Sequence, residues 1–203
     1  MLKANIAVLV SGGGTNLQAL IDAVNENYIN GEIVFVGSNR MKAYGLERAR
    51  NHNIEALCIK DEALLIEKLL EKKVDLIVLA GYLAILSENF INHFKNKIIN
   101  IHPSLIPSFC GEGMYGIHVH EAAFKRGVKV SGATVHFVSN VVDGGPIILQ
   151  KTVDISKCNS PEEIQQLVLN EVEHKLLKEA VKLYCEDKIK VENGRVVILW
   201  KEH

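Results

Sequence analysis

Apolar positions in the first half of the chain fall into two alternating kinds of run. Short unbroken stretches occur at Asn5–Val10, Glu32–Val36, Glu55–Ile59, Leu76–Ala80 and Ile98–Ile101. Between them, at Asn16–Asn25, Ala43–Asn51, Glu62–Lys72 and Glu88–Phe94, apolar residues recur at helical spacing. Runs of Val, Ile and Leu without polar alternation read as strands buried on both faces. A single helix between successive strands implies right-handed βαβ crossovers, so this half predicts a doubly wound parallel sheet.

The pattern changes after Asn100. Ile101–Tyr115 carries Pro103, Pro107, Gly111 and Gly113 and reads as a long loop, a kind of segment that in a compact domain is usually functional. A helix follows over Ile117–Lys125, then β segments at Ser131–Val138 and Ile147–Val153. The turn Asp143-Gly144-Gly145-Pro146 between the last two makes them antiparallel and the sheet mixed. Ser160-Pro161-Glu162-Glu163 is a helix start, with Ser as N-cap and Pro in the first turn, and the helix should run to Cys185. Asn193-Gly194 closes the chain with a hairpin. The expected architecture is one α/β domain over residues 1–203: a doubly wound mixed sheet of about seven strands, helices on both faces, and a C-terminal hairpin. No repeat or linker divides it.

Composition narrows the partners. The 203 residues hold 23 basic and 24 acidic side chains, a net charge of −1, so no basic field is available for nucleic acid. The four cysteines form no CxxC pair, which fits reduced thiols in a cytoplasmic protein. Ile6–Val10 is too short for a signal-peptide core, and Leu76–Leu86 falls below the ~18 apolar residues of a membrane helix. No membrane partner is expected, and monomer and homodimer both stay open.

Two places carry candidate chemistry. Ser11-Gly12-Gly13-Gly14-Thr15-Asn16 follows the first strand and opens the first helix, where free N–H groups and the helix dipole favour a phosphate. It is not a dinucleotide fingerprint, since Leu17 stands where glycine is needed, nor a P-loop, which needs Gly-Lys-Ser/Thr. A tight turn capped by Thr15 or Asn16 is the alternative. A side chain on Gly14 is expected to block close approach of a ligand to the backbone. The second place is Asn100-Ile101-His102 at the carboxyl end of the fifth strand, the edge at which the glycine loop should also lie. Residues two apart in a strand project together, so an amide donor stands beside an imidazole, a pair suited to holding an oxyanion and moving a proton. A structural histidine beside a turn-forming asparagine is the competing reading. His118 and His120 should face apart on a helix and no zinc spacing is present, so no metal is expected. Asp143, on its own, reads as an ordinary turn residue.

Taken in order, the segments Ser11–Leu17, Gly45–Arg50, Leu79–Leu86, Asn100–Pro107, Gly132–Phe137 and Asp143–Gln150 make the chain similar to the folate-dependent phosphoribosylglycinamide formyltransferase family. The resemblance implies a Rossmann-like formyltransferase fold. It implies 10-formyltetrahydrofolate as cosubstrate, glycinamide ribonucleotide as the other small-molecule substrate, and no metal. By position, Asn100, His102 and Asp143 match the catalytic trio, and Gly14, Thr15, Asn16 and Glu173 match the ribonucleotide site. Leu83, Ala84, Ile85 and Leu86 match one folate wall, Val141, Val142 and Asp143 the other, with Asn100 between them. Lys60 matches a contact for the folate's glutamate tail. Residues 1–100 would be the phosphate-binding half and 101–203 the folate and catalytic half.

Ala84 stands where relatives often carry arginine, Asn140 replaces a commonly acidic position, and Ser108–Gly116 match a mobile loop of one subgroup. Formyltetrahydrofolate hydrolase and methionyl-tRNA formyltransferase share much of the pattern. The first is expected to carry an extra N-terminal domain, the second a C-terminal RNA-binding domain and a different His motif. A non-catalytic phosphometabolite-binding module would keep the glycine loop without needing the trio.

Overall fold

A computed structural model describes residues 3–199. Parallel strands β1 (Ala4–Val10), β2 (Gly31–Ser38), β3 (Ala56–Cys58), β4 (Leu76–Leu79) and β5 (Ile98–His102) alternate with helices. The helices are α1 (Thr15–Asn25), α2 (Tyr44–Asn51), α3 (Glu62–Glu71) and α4 (Glu88–His93). After α5 (Ile117–Arg126), strand β6 (Val130–Phe137) adds antiparallel to β5, and β7 (Ile147–Asp154) antiparallel to β6. The order is β3-β2-β1-β4-β5-β6-β7, seven strands as the periodicity predicts. Element ends differ from the expected ones by a residue or two.

Burial explains the unbroken apolar runs. Along β1, Ile6, Val8 and Val10 face a core built with Leu17, Leu20 and Leu177. Ala7 and Leu9, pointing the other way, pack with Leu65, Leu69 and Phe90. A strand with helices on both faces has no solvent side on which to place polar residues.

The helix that starts at Ser160 runs to Cys185 as expected, with one feature added: α6 (Pro161–Val168) passes through a π turn over Leu169–Glu173 into α7 (His174–Cys185). A π turn inserts one residue into the hydrogen-bond ladder without breaking the helix. Apolar periodicity shows little of this, because the buried stripe only advances. Here it brings both Val172 and Glu173 into the interior.

The Asn-Gly hairpin forms β8 (Ile189–Glu192) and β9 (Arg195–Ile198) as a separate two-stranded sheet. Positive φ at Asn193 (51°) and Gly194 (75°) gives the turn its hand. Among the described residues no helix is long and apolar enough to cross a membrane. The strand order reverses between β1 and β4, and a crevice opens at the carboxyl ends of strands at such a switch point.

Candidate active site

A cleft of about 910 Å³ occupies that crevice, with Gly12, Gly13, Asn100, His102, Asp143 and Glu173 in its lining. The glycine loop and Asn100 therefore lie at one edge of the sheet, as expected.

The helix starts differ in how they are capped, and α1, like α2 and α5, carries no side-chain cap. Asp61, Ser87 and Ser160 cap α3, α4 and α6, their side chains accepting from the N–H of Leu64, Phe90 and Glu163. At α1 the N-cap is Gly14, in the left-handed region at φ 71°, and no side chain caps the helix. The turn capped by Thr15 or Asn16 is therefore not formed, and first-turn N–H groups remain for a ligand. The expectation for Gly14 also changes. A Cβ there would sit 2.7 Å from the Gly45 Cα, so Gly14 faces α2, and it can reach a ligand only through its amide. A Cβ on Gly12 or Gly13 would meet nothing within 4 Å, and these two line the cleft.

Asn16 turns inward instead of capping. Its Nδ2 donates to Glu173 Oε2 at 2.9 Å, joining α1 to the π turn. Both residues are 7% exposed and line the cleft. Burial pushes the Glu173 carboxyl above its ordinary pKa, and the Asn16 donor only partly offsets this. Asn16 Oδ1 is buried without a partner among the described residues. An acceptor in that state favours a ligand bearing N–H or O–H.

Asn100 and His102 reach into the cleft from β5, and Asp143 meets them from the β6–β7 turn. There it holds φ 54°, a left-handed conformation that Asp tolerates better than most residues. Gly145 in the same turn has no alternative, since a Cβ would lie 1.8 Å from the Phe137 carbonyl oxygen. Asp143 Oδ2 is 3.5 Å from His102 Nδ1, and its Oδ1 is 3.6 Å from His136 Nε2. The His102 Nε2–H donates to the Phe109 carbonyl at 2.9 Å. A carbonyl only accepts, so that nitrogen carries the proton and Nδ1 is where a second proton enters or leaves.

Burial lowers the His102 pKa, and neighbouring His136 adds to that. Asp143 and the Phe109 carbonyl pull the other way without winning. Asp143 thus contributes upward, as an opposite charge should, while the net shift is downward. Burial likewise opposes ionisation of Asp143, but His136, the Gly111 amide and His102 together hold its pKa below the ordinary value. A carboxylate therefore stands beside an imidazole that is neutral at rest.

Sequence reasoning missed three members of this group. His136 Nδ1–H donates to the Phe137 carbonyl at 2.9 Å, leaving Nε2 to accept from Asn100 Nδ2 at 3.1 Å. This assigns the amide nitrogen of Asn100 to the side facing His136 and leaves its second N–H without a partner among the described residues. The signal was the β5–β6 register, in which Asn100 pairs with His136. The Gly111 amide donates to Asp143 Oδ2 at 2.9 Å, docking the long loop on the carboxylate. Arg40 also lines the cleft.

The segments matched to the folate site form facing walls. Leu83 and Ile85 on one side and Val141 and Val142 on the other are 39%, 76%, 67% and 46% exposed, while Leu86 is buried. Ala84 and Asn140 also line the cleft. Apolar side chains left open on opposed walls suit a flat aromatic ligand. Lys60, exposed between β3 and α3, lies outside the cleft lining. Among the described residues no group of three or more His, Cys, Asp or Glu could hold a metal.

Comparison with known proteins agrees in sequence and in shape. The Formyl transferase family matches residues 4–181. The phosphoribosylglycinamide formyltransferase of Escherichia coli is 37% identical over 94% of this chain and 91% of its own length. The chloroplastic enzyme of Arabidopsis thaliana is 36% identical over 97% of this chain and 70% of its own. The crystal structure of glycinamide ribonucleotide transformylase 1 from Symbiobacterium toebii superposes with a TM-score of 0.90 at 41% identity, covering 98% of this chain and 95% of that one. With the sheet order, the cleft at its switch point and the extent of these matches in agreement, this chain belongs to the formyl transferase family.

Proposed function

We propose that this chain transfers the formyl group of 10-formyltetrahydrofolate to the amine of glycinamide ribonucleotide, giving formylglycinamide ribonucleotide and tetrahydrofolate in purine biosynthesis. One observation carries the reading. An uncapped helix start, a buried carboxyl, an Asn-His-Asp group and opposed apolar walls line a single cleft. Both halves of the chain contribute, since residues 1–100 supply the glycine loop and Leu83–Leu86, and 101–203 supply His102, Asp143 and Glu173.

The folate fits the apolar walls, and when bound it supplies an activated formyl group. The residues of this chain do the rest. N–H groups of the glycine loop and of Thr15 and Asn16 hold the phosphate. Glu173 and the unpartnered Asn16 Oδ1 accept from donors on the glycinamide ribonucleotide. The neutral amine attacks the formyl carbon, and the carbonyl electron pair moves onto oxygen. Asn100 donates its free N–H to that oxygen, and the donor is most effective where the cleft excludes water. His102 takes up a proton at Nδ1 as the amine sheds one, Asp143 stabilises the imidazolium, and the proton passes on to the departing folate nitrogen. Positioning and electrostatics carry the whole step.

The test is tetrahydrofolate release from 10-formyltetrahydrofolate with and without glycinamide ribonucleotide. Release that requires the ribonucleotide is expected. Equal release without it would make the chain a hydrolase, and no release in either case would leave a binding module.

A further inference from the structure

Two arginines stand beside the glycine loop and are used differently. Arg48, on α2, is committed within the protein. Its Nε donates to the Gly13 carbonyl at 2.7 Å and its Nη1 to Gln18 Oε1 at 3.3 Å, while the guanidinium lies 5.0 Å over the Tyr44 ring. Arg40, between β2 and α2, lines the cleft, and among the described residues its guanidinium has no hydrogen bond or ion pair. The backbone of Arg40 is firmly held. Its N–H donates to Ser38 Oγ and its carbonyl accepts from the same hydroxyl, both at 3.0 Å, and from the Ala43 N–H at 3.1 Å. The adjoining Asn39 accepts from Ser11 Oγ at 2.6 Å, tying this turn to the glycine loop.

Charge gives this placement its meaning. Arg40 is the only arginine or lysine among the described residues lining the cleft, whereas Glu112, Asp143 and Glu173 all line it. A helix start offers roughly half a positive charge, too little for a phosphate dianion beside three carboxyl groups. A guanidinium fork matches phosphate oxygens in pairs and brings a full charge.

We propose that Arg40 is the cation of the phosphate subsite, binding the phosphate monoester of the ribonucleotide together with the N–H groups at the start of α1. This rests on the function proposed above. A firm backbone under an uncommitted side chain is what a ligand-gripping arginine needs, since the ligand supplies the missing partners. Arg40 is exposed, so its replacement should not disturb the core.

The test compares Arg40→Gln and Arg40→Lys with the parent enzyme, using calorimetry with ribose 5-phosphate and steady-state kinetics with both substrates. Arg40→Gln should weaken ribose 5-phosphate roughly 10- to 100-fold, the range for charge-assisted hydrogen bonds. The KM for glycinamide ribonucleotide should rise in parallel, with a smaller effect on kcat. Arg40→Lys should recover part of the loss, because it restores the charge without the fork. An unchanged ribose 5-phosphate affinity in Arg40→Gln overturns the proposal, as does a parent enzyme that does not bind this probe. A higher KM for 10-formyltetrahydrofolate alone would assign Arg40 to the folate carboxylates and overturn it too. If the parent transfers no formyl group yet Arg40→Gln still loses ribose 5-phosphate, the functional reading fails and the phosphate cation stands.

Discussion

Asn100 acts through an orientation that its own side chain does not dictate. An amide can present either oxygen or nitrogen, and only the nitrogen helps a developing oxyanion. His136 makes the choice: its Nδ1–H is held by the Phe137 carbonyl, which frees its Nε2 to accept from the Asn100 amide nitrogen. Asn100→Ala should lower turnover by about 10²–10³, the usual loss for one such donor, with folate affinity little changed; near-normal turnover would leave Asn100 a structural residue. His136→Gln, which can still accept from Asn100, should retain more kcat than His136→Leu at equal stability. Equal losses would mean that His136 does not orient the amide. Asp143→Asn keeps shape but removes charge. The His102 pKa, already lowered by burial, should then fall further, and the acidic limb of the pH–rate profile should move to lower pH. NMR titration of the His102 ring in both proteins reads the first effect and kinetics the second. A stationary ring titration with turnover retained would reduce Asp143 to a turn residue.

At the scale of elements, the glycine loop separates two jobs that the sequence merges into one motif. Gly14 lets α1 and β1 meet α2, since it needs φ 71° and its Cβ would strike Gly45. Gly12 and Gly13 keep ligand space clear. Gly14→Val should therefore destabilise the fold by at least about 2 kcal/mol, through left-handed strain and overpacking. Gly13→Val should leave the urea midpoint nearly in place and weaken ribose 5-phosphate binding. The opposite pattern would reverse the two assignments. This division marks where sequence reading stops. Strands buried on both faces, the Ser160 cap and the Asn193-Gly194 turn are local signals, so the sheet and most element ends were legible. Asn100 and His102 were legible as a pair because strand period places them together, and the resemblance added Asp143 and Glu173. The π turn was hidden because inserting one residue leaves the apolar stripe almost intact. His136 as partner of Asn100, the docking of Gly111 on Asp143 and the uncommitted Arg40 arise only from strand register and loop closure. No local pattern encodes those.

For the molecule as a whole, concentrating buried polar groups at one end of the sheet makes stability depend on pH, and the direction follows from which groups are buried. His120, 1% exposed with Nδ1 unpartnered among the described residues, has its pKa lowered to about 4 by burial, with nearby His102 adding to the effect. His102 and His174 are lowered in the same sense, chiefly by burial. Unfolding returns each ring to its ordinary value, so between pH 6.5 and 4 the unfolded chain binds more protons and stability falls with pH. For His120 alone the gap corresponds to about 3 kcal/mol, fully present above pH 6.5 and lost by about pH 4. Glu173 works against this. Its raised pKa means that the folded state accepts a proton readily, so stability from this group is present at low pH and lost as pH rises. Several depressed histidines against one elevated carboxyl should leave a net fall toward acid. Urea midpoints of the parent protein are therefore expected to drop as pH goes from 8 to 5. His120→Leu should flatten that slope while staying near the parent at pH 8, because a neutral buried imidazole and leucine differ little in charge there. Glu173→Gln should gain stability most at high pH, where the parent carboxyl is forced to ionise, and should bind ribonucleotide more weakly at every pH. If the parent and His120→Leu lose stability in parallel below pH 6.5, His120 is not the group whose burial sets the acid limit.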